Sequence, residues 1–229
     1  MKVTYLEHSG FAAEYKEYVL IFDWYRGSLP EFDQQKKIYV FASHSHYDHF
    51  NKKIFGWSEQ YPDVRYILSA DIAGKEQSER TVYVTANKKY DFDGIKVQTL
   101  QSTDEGVAFI VYMEDKVIYH AGDLNWWHWE EETESYNEQM RQDYQREIDK
   151  LKDIVIDIAF VPLDPRQENQ YAWGMDYFMK HTHTKYVFPM HMWGDYEVYD
   201  RLMENPEAEP YKERVIEVKE PGQVFEVNV

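Results

Sequence analysis

The residues best suited to chemistry lie at positions 43–49, where the sequence SHSHYDH has the pattern His-x-His-x-Asp-His and directly follows a short apolar run. Histidine is the commonest metal ligand and aspartate is a good oxygen donor, so this spacing indicates a metal site. Side chains two residues apart on an extended strand share a face, which would let His44 and His46 contact one ion. Asp48 and His49 follow the strand and could contact a second ion.

Two further apolar segments end in a residue that can bind a metal. Residues 117–123 end in Ala-Gly-Asp, where Asp123 could bridge two ions, and residues 187–191 end in His191. Each signal is weak alone, because a Gly-Asp turn is usually only a turn and a single histidine after a strand is usually structural. Together with the first cluster, they give three strand ends with ligand-type residues, and we expect these to converge.

Composition narrows the class of protein. The 229 residues contain no cysteine, which excludes disulfides and thiolate chemistry, and they predict one domain, residues 1–229. Lys plus Arg number 25 and Asp plus Glu number 42, a formal charge of −17 that argues against nucleic-acid binding. No long apolar run or signal-peptide pattern is present, so we expect no membrane contact and a cytoplasmic location. The expected partner is a small-molecule substrate, and the oligomeric state stays open.

The first half of the chain is rich in strand-type segments broken by Gly, Asp and Asn. Strands are predicted at roughly 2–8, 11–15, 18–23, 37–43, 65–69, 81–84, 95–100, 107–113 and 116–121. A helix from about 51 to 60, with Asn51 as its cap, is predicted to follow the histidine cluster.

The second half mixes helices and strands. Apolar residues recur at helical spacing from Tyr136 to Val155, which predicts a long amphipathic helix. The remaining predicted elements are a strand at 156–161, a helix at 174–182, a strand at 185–189, a helix at 195–204 and strands near 213–218 and 223–227. This order predicts an α+β fold with two sheets packed face to face and helices outside.

The whole pattern resembles the metallo-β-lactamase fold superfamily over nearly the full chain. Besides the histidine cluster, Asp123 and His191, the resemblance is carried by EHSGF at 7–11, IFD at 21–23 and YHAGD at 119–123. These segments are similar to the branch of ascorbate-6-phosphate lactonase and the N-acyl-phosphatidylethanolamine phospholipase D group. The resemblance implies a four-layer αββα sandwich of two mixed sheets, with one or two divalent ions at one edge. Zinc is the ion it favours, with manganese or iron as alternatives.

The resemblance also implies two sets of ligands that share one carboxylate. The set for the first metal comprises His44, His46 and Asp123. The set for the second metal comprises Asp48, His49, Asp123 and His191.

One histidine of the family pattern has no counterpart in this chain. It normally precedes a glycine that opens the next strand, but residues 101–106 read QSTDEG. Ser102 or Thr103 stands where the imidazole is expected. Asp104 is a possible replacement, since carboxylates also bind zinc. Without a replacement, the first site is one ligand short.

Two residues are predicted to act on the reaction itself. We expect Asp48 to serve both as a ligand and as the group that orients or deprotonates the attacking water. His8 is a candidate for a substrate contact or for a partner of the ligands, with a purely structural role as the alternative.

Aromatic residues near the expected ligands suggest an apolar pocket. Trp126 and Trp193 follow Asp123 and His191 closely, and Tyr47 lies inside the first cluster. We expect at least one tryptophan, Trp126 or Trp193, to wall a substrate pocket, with Tyr47 as a further candidate, although aromatic residues also fill cores under long loops.

The leading prediction is a metal-dependent hydrolase of a small ester, lactone, amide or phosphoester. One alternative narrows the reaction to phosphodiester cleavage. The other is a non-catalytic metal-binding or ligand-sensing protein, because the first site lacks a histidine. The fold alone does not choose among them.

Overall fold

Two β-sheets form the centre of the structure, a computed structural model that describes residues 1–74 and 78–229. In these ranges the strands are β1 (Lys2–Glu7), β2 (Gly10–Tyr15), β3 (Tyr18–Phe22), β4 (Lys37–Ala42), β5 (Val64–Ser69), β6 (Thr81–Val84), β7 (Lys89–Phe92), β8 (Ile95–Gln101), β9 (Val107–Met113), β10 (Lys116–His120), β11 (Val155–Pro162), β12 (His183–Met190) and β13 (Val224–Glu226). The α-helices are α1 (Glu134–Ile148), α2 (Trp173–His181) and α3 (Glu197–Glu204). Short 3₁₀ helices lie at Lys52–Glu59, Ala70–Ile72, Asp149–Leu151, Pro165–Gln170, Pro206–Ala208 and Lys212–Arg214.

Both sheets are mixed. The first has the order β13-β1-β2-β3-β4-β5-β6, and the second has the order β12-β11-β10-β9-β8-β7. Strands β3 to β6 are parallel, and β1 runs in the same direction because β2 lies antiparallel between β1 and β3. Strands β10, β11 and β12 are also parallel. The carboxyl ends of β1 and β4 therefore share one edge of the first sheet, and those of β10 and β12 share one edge of the second.

The central strands of the first sheet are apolar along their whole length because both of their faces are buried. In β3, Leu20 and Phe22 belong to the core between the sheets, whereas Val19 and Ile21 belong to a second core on the outer face. Phe22 contacts Phe160 of β11, with ring centroids 5.9 Å apart. Burial of each such side chain contributes about 1.5–3 kcal/mol, so these two cores hold the layers together.

Helices cover the outer faces, which confirms the predicted four-layer sandwich. Over the second sheet, Phe178 of α2 stacks on Tyr119 of β10 with centroids 5.0 Å apart. Over the first sheet, the covering helix at Lys52–Glu59 is 3₁₀ rather than α, and the predicted cap Asn51 accepts a 3.0 Å hydrogen bond from the Lys53 amide. Within the described ranges, none of the helices combines the length and apolarity needed to cross a bilayer.

Three predictions of secondary structure were wrong. The strand β7 was missed because its sequence KYDF is polar and half-exposed. Helix α1 ends at Ile148, and Val155 opens strand β11 instead of closing the helix. Residues 213–218 form no strand; a 3₁₀ helix and one isolated bridge between Val215 and β12 replace it.

The histidine cluster also differs from its predicted geometry. Strand β4 ends at Ala42, so His44 and His46 lie in the following turn and not on an extended strand. The His49 amide donates to the His46 carbonyl oxygen at 3.1 Å, which closes that turn. Turn geometry, rather than the period of a strand, brings the side chains together.

The turn after β4 is docked tightly on the second sheet through Gly106 and Gly122. The Val107 amide donates a 3.0 Å hydrogen bond to the Ser43 carbonyl oxygen. A Cβ on Gly106 would overlap that same oxygen, and a Cβ on Gly122 would lie 2.6 Å from the Ser43 Cβ. Both glycines also have positive φ, 71° and 52°. This close approach of two backbones requires glycine at both positions.

We expect Gly106→Ala to lower the free energy of unfolding by at least about 2 kcal/mol. The left-handed backbone costs about 1–2 kcal/mol for a residue with a Cβ, and the overlap with Ser43 adds to that cost. The matched control is Gly56→Ala in the 3₁₀ helix at Lys52–Glu59, where an added Cβ meets no described atom within 4 Å. Urea denaturation measures both changes, and equal midpoints for the two variants would contradict the close approach.

Candidate metal centre

Four strands deliver candidate ligands to the place where the edges of the two sheets meet. In the first sheet, His8 follows β1 and the histidine cluster follows β4; in the second, Asp123 follows β10 and His191 follows β12. The His191 amide donates to the His8 carbonyl oxygen at 3.2 Å, which joins the two sheets at this point. The predicted convergence of distant strand ends is therefore present.

The backbone is strained at this place. His8, Asp23, His191 and Trp193 all have positive φ, between 43° and 63°. Non-glycine residues rarely adopt this conformation, and strained residues concentrate at functional sites. The surrounding packing thus holds these four side chains in directions that the free chain would avoid.

The ligand-type atoms form two groups, each with all of its atoms within 4.8 Å of one another. The first group comprises His44, His46 and Asp123. The second group comprises His8, Asp48, His49 and His191.

Asp123 lies between the two groups and turns one carboxylate oxygen toward each. Its Oδ2 is 3.6 Å from Nε2 of His44 in the first group. Its Oδ1 is 3.2 Å from Nε2 of His49 and 3.4 Å from Nε2 of His191 in the second group. This arrangement suits a carboxylate that bridges two ions.

The inward-facing atoms fit a metal because they are buried and unpartnered. Among the described residues, the Nε2 atoms of His8, His44 and His49 and the Oδ1 atom of Asp123 have no hydrogen-bond partner. Leaving a buried polar atom unpaired costs about 1–3 kcal/mol, so four at one point need an explanation. A bound cation provides one, and it would also neutralise the carboxylates.

The opposite ring nitrogens are hydrogen-bonded, which orients the rings. Nδ1 of His49 lies 2.7 Å from Oδ2 of Asp23, and Nδ1 of His191 lies 2.9 Å from Oδ2 of Asp164. Nδ1 of His44 contacts the Ser43 hydroxyl at 2.9 Å. A carboxylate behind a histidine orients the ring and raises its basicity as a ligand.

Sequence reasoning missed the part played by Asp23 and Asp164. Each directly follows an apolar segment, IF before Asp23 and PL before Asp164, in the same manner as Asp123. A search for every carboxylate after a strand would have found Asp23. Asp164 comes two residues after β11, and Arg166 holds it through Nε and Nη2 contacts of 3.0 and 2.6 Å.

Charges in the centre favour ligand forms that bind cations. Burial lowers the pKa of His8 and of His44 to about 4, so both imidazoles are neutral at pH 7. Burial would raise the pKa of Asp48, but the imidazoles of His8 and His49 hold it below its usual range. Neutral imidazoles and ionised carboxylates are the states that metal binding requires.

His49 is the exception. Burial would lower its pKa, but the carboxylates of Asp123 and Asp23 outweigh burial and raise the pKa to about 9. Binding of a cation through Nε2 of His49 would therefore compete with a proton.

Neither candidate for the missing histidine reaches a ligand group. The Thr103 hydroxyl donates to the Asn125 carbonyl oxygen at 2.7 Å and accepts from the Asn125 amide at 3.0 Å, so it is fully used. Asp104 lies outside both groups. Burial and the Asp123 carboxylate raise the pKa of Asp104.

A cavity of about 120 Å³ adjoins the centre. It is lined by Thr103, Asp104, Asp123, Trp127, Trp129, Tyr136, Met140, Arg166 and His191. Trp127 donates from Nε1 to the Asp123 carbonyl oxygen at 2.9 Å, and its ring lies parallel to that of Trp129 at 5.9 Å. The cavity therefore has one aromatic wall and one wall of ligand side chains.

The predicted substrate contacts are distributed differently. Trp126 packs on Trp173 at 5.3 Å and lines neighbouring cavities, so Trp127 and Trp129 take the place expected for it. Trp193 does lie over the centre, with its ring 4.5 Å from that of His8, and it is 42% exposed. Tyr47 is 73% exposed.

His120 supports the centre from inside. Its Nε2 donates to the Ser9 carbonyl oxygen at 2.8 Å, and its Nδ1 accepts from the Gly122 amide at 3.1 Å. This imidazole thus ties the turn that carries His8 to the turn that carries Asp123, a positioning role.

Known proteins share this fold. The metallo hydrolase Igni18 of Ignicoccus hospitalis superposes with a TM-score of 0.66 at 17% identity, covering 99% of both chains. YhfI of Bacillus subtilis, a metallo-beta-lactamase fold protein, gives 0.65 at 14% identity over 98% of both chains. An isothiocyanate hydrolase from Delia radicum gut bacteria gives 0.60 at 12% identity over 99% of both chains. At these identities the likeness concerns the fold alone.

Sequence comparison identifies the family. A curated UPF0173 metal-dependent hydrolase of Desulforamulus reducens is 28% identical in an alignment of 141 positions that covers 54% of this chain and 62% of that protein. The match thus spans less than two thirds of the length of that relative. The family model described as beta-lactamase superfamily domain matches residues 2–137, more than half of the 229 residues. The chain therefore belongs to the beta-lactamase superfamily domain family.

Proposed function

We propose that the protein is a metal-dependent hydrolase that acts on a small ester, lactone, amide or phosphoester. The observation that carries the proposal is the position of Asp123 between two groups of ligand atoms, with buried, unpartnered nitrogens facing it from both sides. The name of the related protein of Desulforamulus reducens, a metal-dependent hydrolase, supports it.

His8, Asp48, His49 and His191 would hold one divalent ion, and His44, His46 and Asp123 would hold another. A divalent ion in such a centre supplies a Lewis acid and lowers the pKa of water from 15.7 to about 7. The second group is the tighter of the two, since all four of its residues are buried. Its three imidazoles and one carboxylate suit zinc, with manganese or iron as further candidates.

The side chains around the ligands have three roles: proton transfer, orientation of the histidine rings and exclusion of water. Asp48 is ionised and lies on the same side of the centre as His8, with 3.4 Å between its Oδ2 and the His8 Nε2. We assign Asp48 to orient the attacking water and accept its proton. Asp23 and Asp164 keep the rings of His49 and His191 in place, and Trp127, Trp129 and Trp193 exclude bulk water from the reacting group.

Arg166 places a cation at the rim of the cavity. Its guanidinium lies 4.5 Å from the ring centroid of Trp193 and 5.9 Å from that of Trp129. The Arg166 guanidinium forms an ion pair with Asp164. Its main role is therefore to hold Asp164 in position behind His191.

We expect His49→Ala to remove bound metal and to lower kcat/KM at least about 100-fold, because a ligand is lost and not merely a supporting contact. The measurement is metal content per chain by elemental analysis, together with rates on a chromogenic ester, a lactone, a thioester and a phosphodiester in the presence of Zn²⁺ or Mn²⁺. The matched control is His183→Ala, an exposed histidine at the start of β12.

Three results would change the proposal. Unchanged turnover in His49→Ala would contradict it. Binding of metal by the wild-type chain without turnover of any substrate would favour the metal-sensing alternative, and turnover of the phosphodiester alone would favour the phosphodiesterase.

We expect Trp193→Ala to raise KM about five- to tenfold and to change kcat less than about twofold. An aromatic contact contributes about 0.5–1.5 kcal/mol to substrate binding. We expect the Trp193 indole to contact the substrate without taking part in proton transfer, so kcat changes little. The control is Trp173→Ala, since Trp173 is 40% exposed, close to the 42% of Trp193, but packs on Trp126 and His128. Equal KM values for the two variants would remove Trp193 from the substrate pocket.

A further inference from the structure

The cavity that adjoins the metal centre has a third wall, which α1 supplies. Tyr136 and Met140 lie four residues apart on α1, so their side chains share one side of the helix, and both line the cavity. Tyr136 is 43% exposed and Met140 is half-buried, which places Tyr136 nearer the mouth of the cavity and Met140 deeper inside. The cavity therefore lies between α1 and the aromatic wall of Trp127 and Trp129.

Asn137 fixes the distance between α1 and the aromatic wall. Its Nδ2 donates to the Trp129 carbonyl oxygen at 2.8 Å, and its Oδ1 accepts from the Trp129 amide at 3.1 Å. The Asn137 side chain is buried. Separating α1 from Trp129 would break both hydrogen bonds and leave buried polar groups unpaired, at a cost of about 1–3 kcal/mol for each group. The cavity therefore cannot widen easily between these two walls.

The cavity is small for a ligand site. Its volume of about 120 Å³ is well below the roughly 300–1,000 Å³ of pockets that hold drug-sized ligands. At about 30 Å³ for each water-sized group, it has room for about four such groups. In a close-fitting hydrophobic pocket, a single methylene changes kcat/KM about 10- to 200-fold. A wall at a fixed distance can therefore select substrates by the length of one chain.

From this geometry, and resting on the proposed function, we propose that α1 limits the substrate to short acyl groups of about two to four carbons. Met140 blocks longer chains, and Asn137 holds that block at a fixed distance from Trp129. Met140 is thus a specificity-determining residue, and Asn137 is a positioning residue. The preferred acyl substrates are then small esters, amides or lactones, and not lipids with long acyl chains.

The test measures kcat/KM of the full-length chain, supplied with Zn²⁺, on the p-nitrophenyl esters of acetate, butyrate, hexanoate and octanoate. In the wild type, we expect kcat/KM to fall at least about tenfold from the butyrate to the octanoate. Met140→Ala removes the thioether arm from the wall, so the ratio of the octanoate value to the butyrate value rises at least about tenfold. Asn137→Asp loses the donor to the Trp129 carbonyl oxygen and raises the same ratio.

The matched control is Met203→Ala, because Met203 is also a half-buried helical methionine but does not line the cavity. Its ratio stays at the wild-type value, and so does that of Met140→Leu, which nearly conserves the volume of the side chain. A wild type that hydrolyses all four esters equally well, an unchanged ratio in Met140→Ala, or the same increase in Met203→Ala would each overturn the size limit.

A binding measurement separates the size limit from the proposed function. Straight-chain hydroxamates of the same four lengths chelate a divalent ion and carry the alkyl chain of the ester, so calorimetry on the Zn²⁺-loaded chain measures the fit without turnover. We expect the affinity to fall from the four-carbon to the eight-carbon hydroxamate in the wild type, and to fall less in Met140→Ala. This pattern without turnover of any ester would overturn the proposed function and leave the size limit standing. Equal affinities at all lengths, or no binding at any length, would overturn the size limit.

Discussion

The structure depends on one carboxylate placed between imidazoles. Asp123 comes from the second sheet, whereas His44 and His49 come from the first, and the carboxylate has an oxygen for each side. Burial would raise its pKa, but the imidazoles of His49, His191 and His44 lower it, so the group stays ionised. An ionised, buried carboxylate is stable only next to compensating positive charge or hydrogen-bond donors. The surrounding contacts hold Asp123 at one position between the imidazoles.

The turn that carries Asp123 is accordingly held from several directions. The Ala121 amide donates to the Phe160 carbonyl oxygen at 3.0 Å, and His120 accepts from Gly122. On the other side, the indole of Trp127 bonds the Asp123 backbone. Asp23 has the equivalent task in the first sheet, where its carboxylate bonds the Ser43 amide at 2.7 Å and the His49 ring. Both turns therefore behave as rigid parts of the scaffold, not as loops that close over a ligand.

Local patterns in the sequence predicted the fold and most of the centre. An apolar run followed by ligand-type residues is a local signal, and the parallel direction of the strands brings such ends together whatever the details of the loops. The His8 backbone accepts a hydrogen bond from the amide of His191, which lies 183 positions later in the sequence. No local sequence pattern indicates that His8 joins the ligand atoms through this contact.

Neighbouring tryptophans show the limit most clearly. Residues 126, 127 and 129 are all tryptophans within six residues of Asp123, so composition cannot rank them. The direction of the loop is decided by Asn125, whose backbone bonds Thr103 and whose Oδ1 leaves no room for a Cβ on Gly174 of α2. These contacts turn residue 126 toward α2 and residues 127 and 129 toward the cavity.

Because both sheets contribute candidate donors, binding of an ion at this centre would be linked to the docking of the two sheets. A cation that binds only the docked form stabilises it by RT ln(1 + [M]/Kd), about 2.7 kcal/mol when the free concentration is 100 times Kd. Under the proposed function, a bound metal ion would therefore raise the resistance of the fold to heat and proteolysis. Removal of that ion would shorten the lifetime of the folded chain.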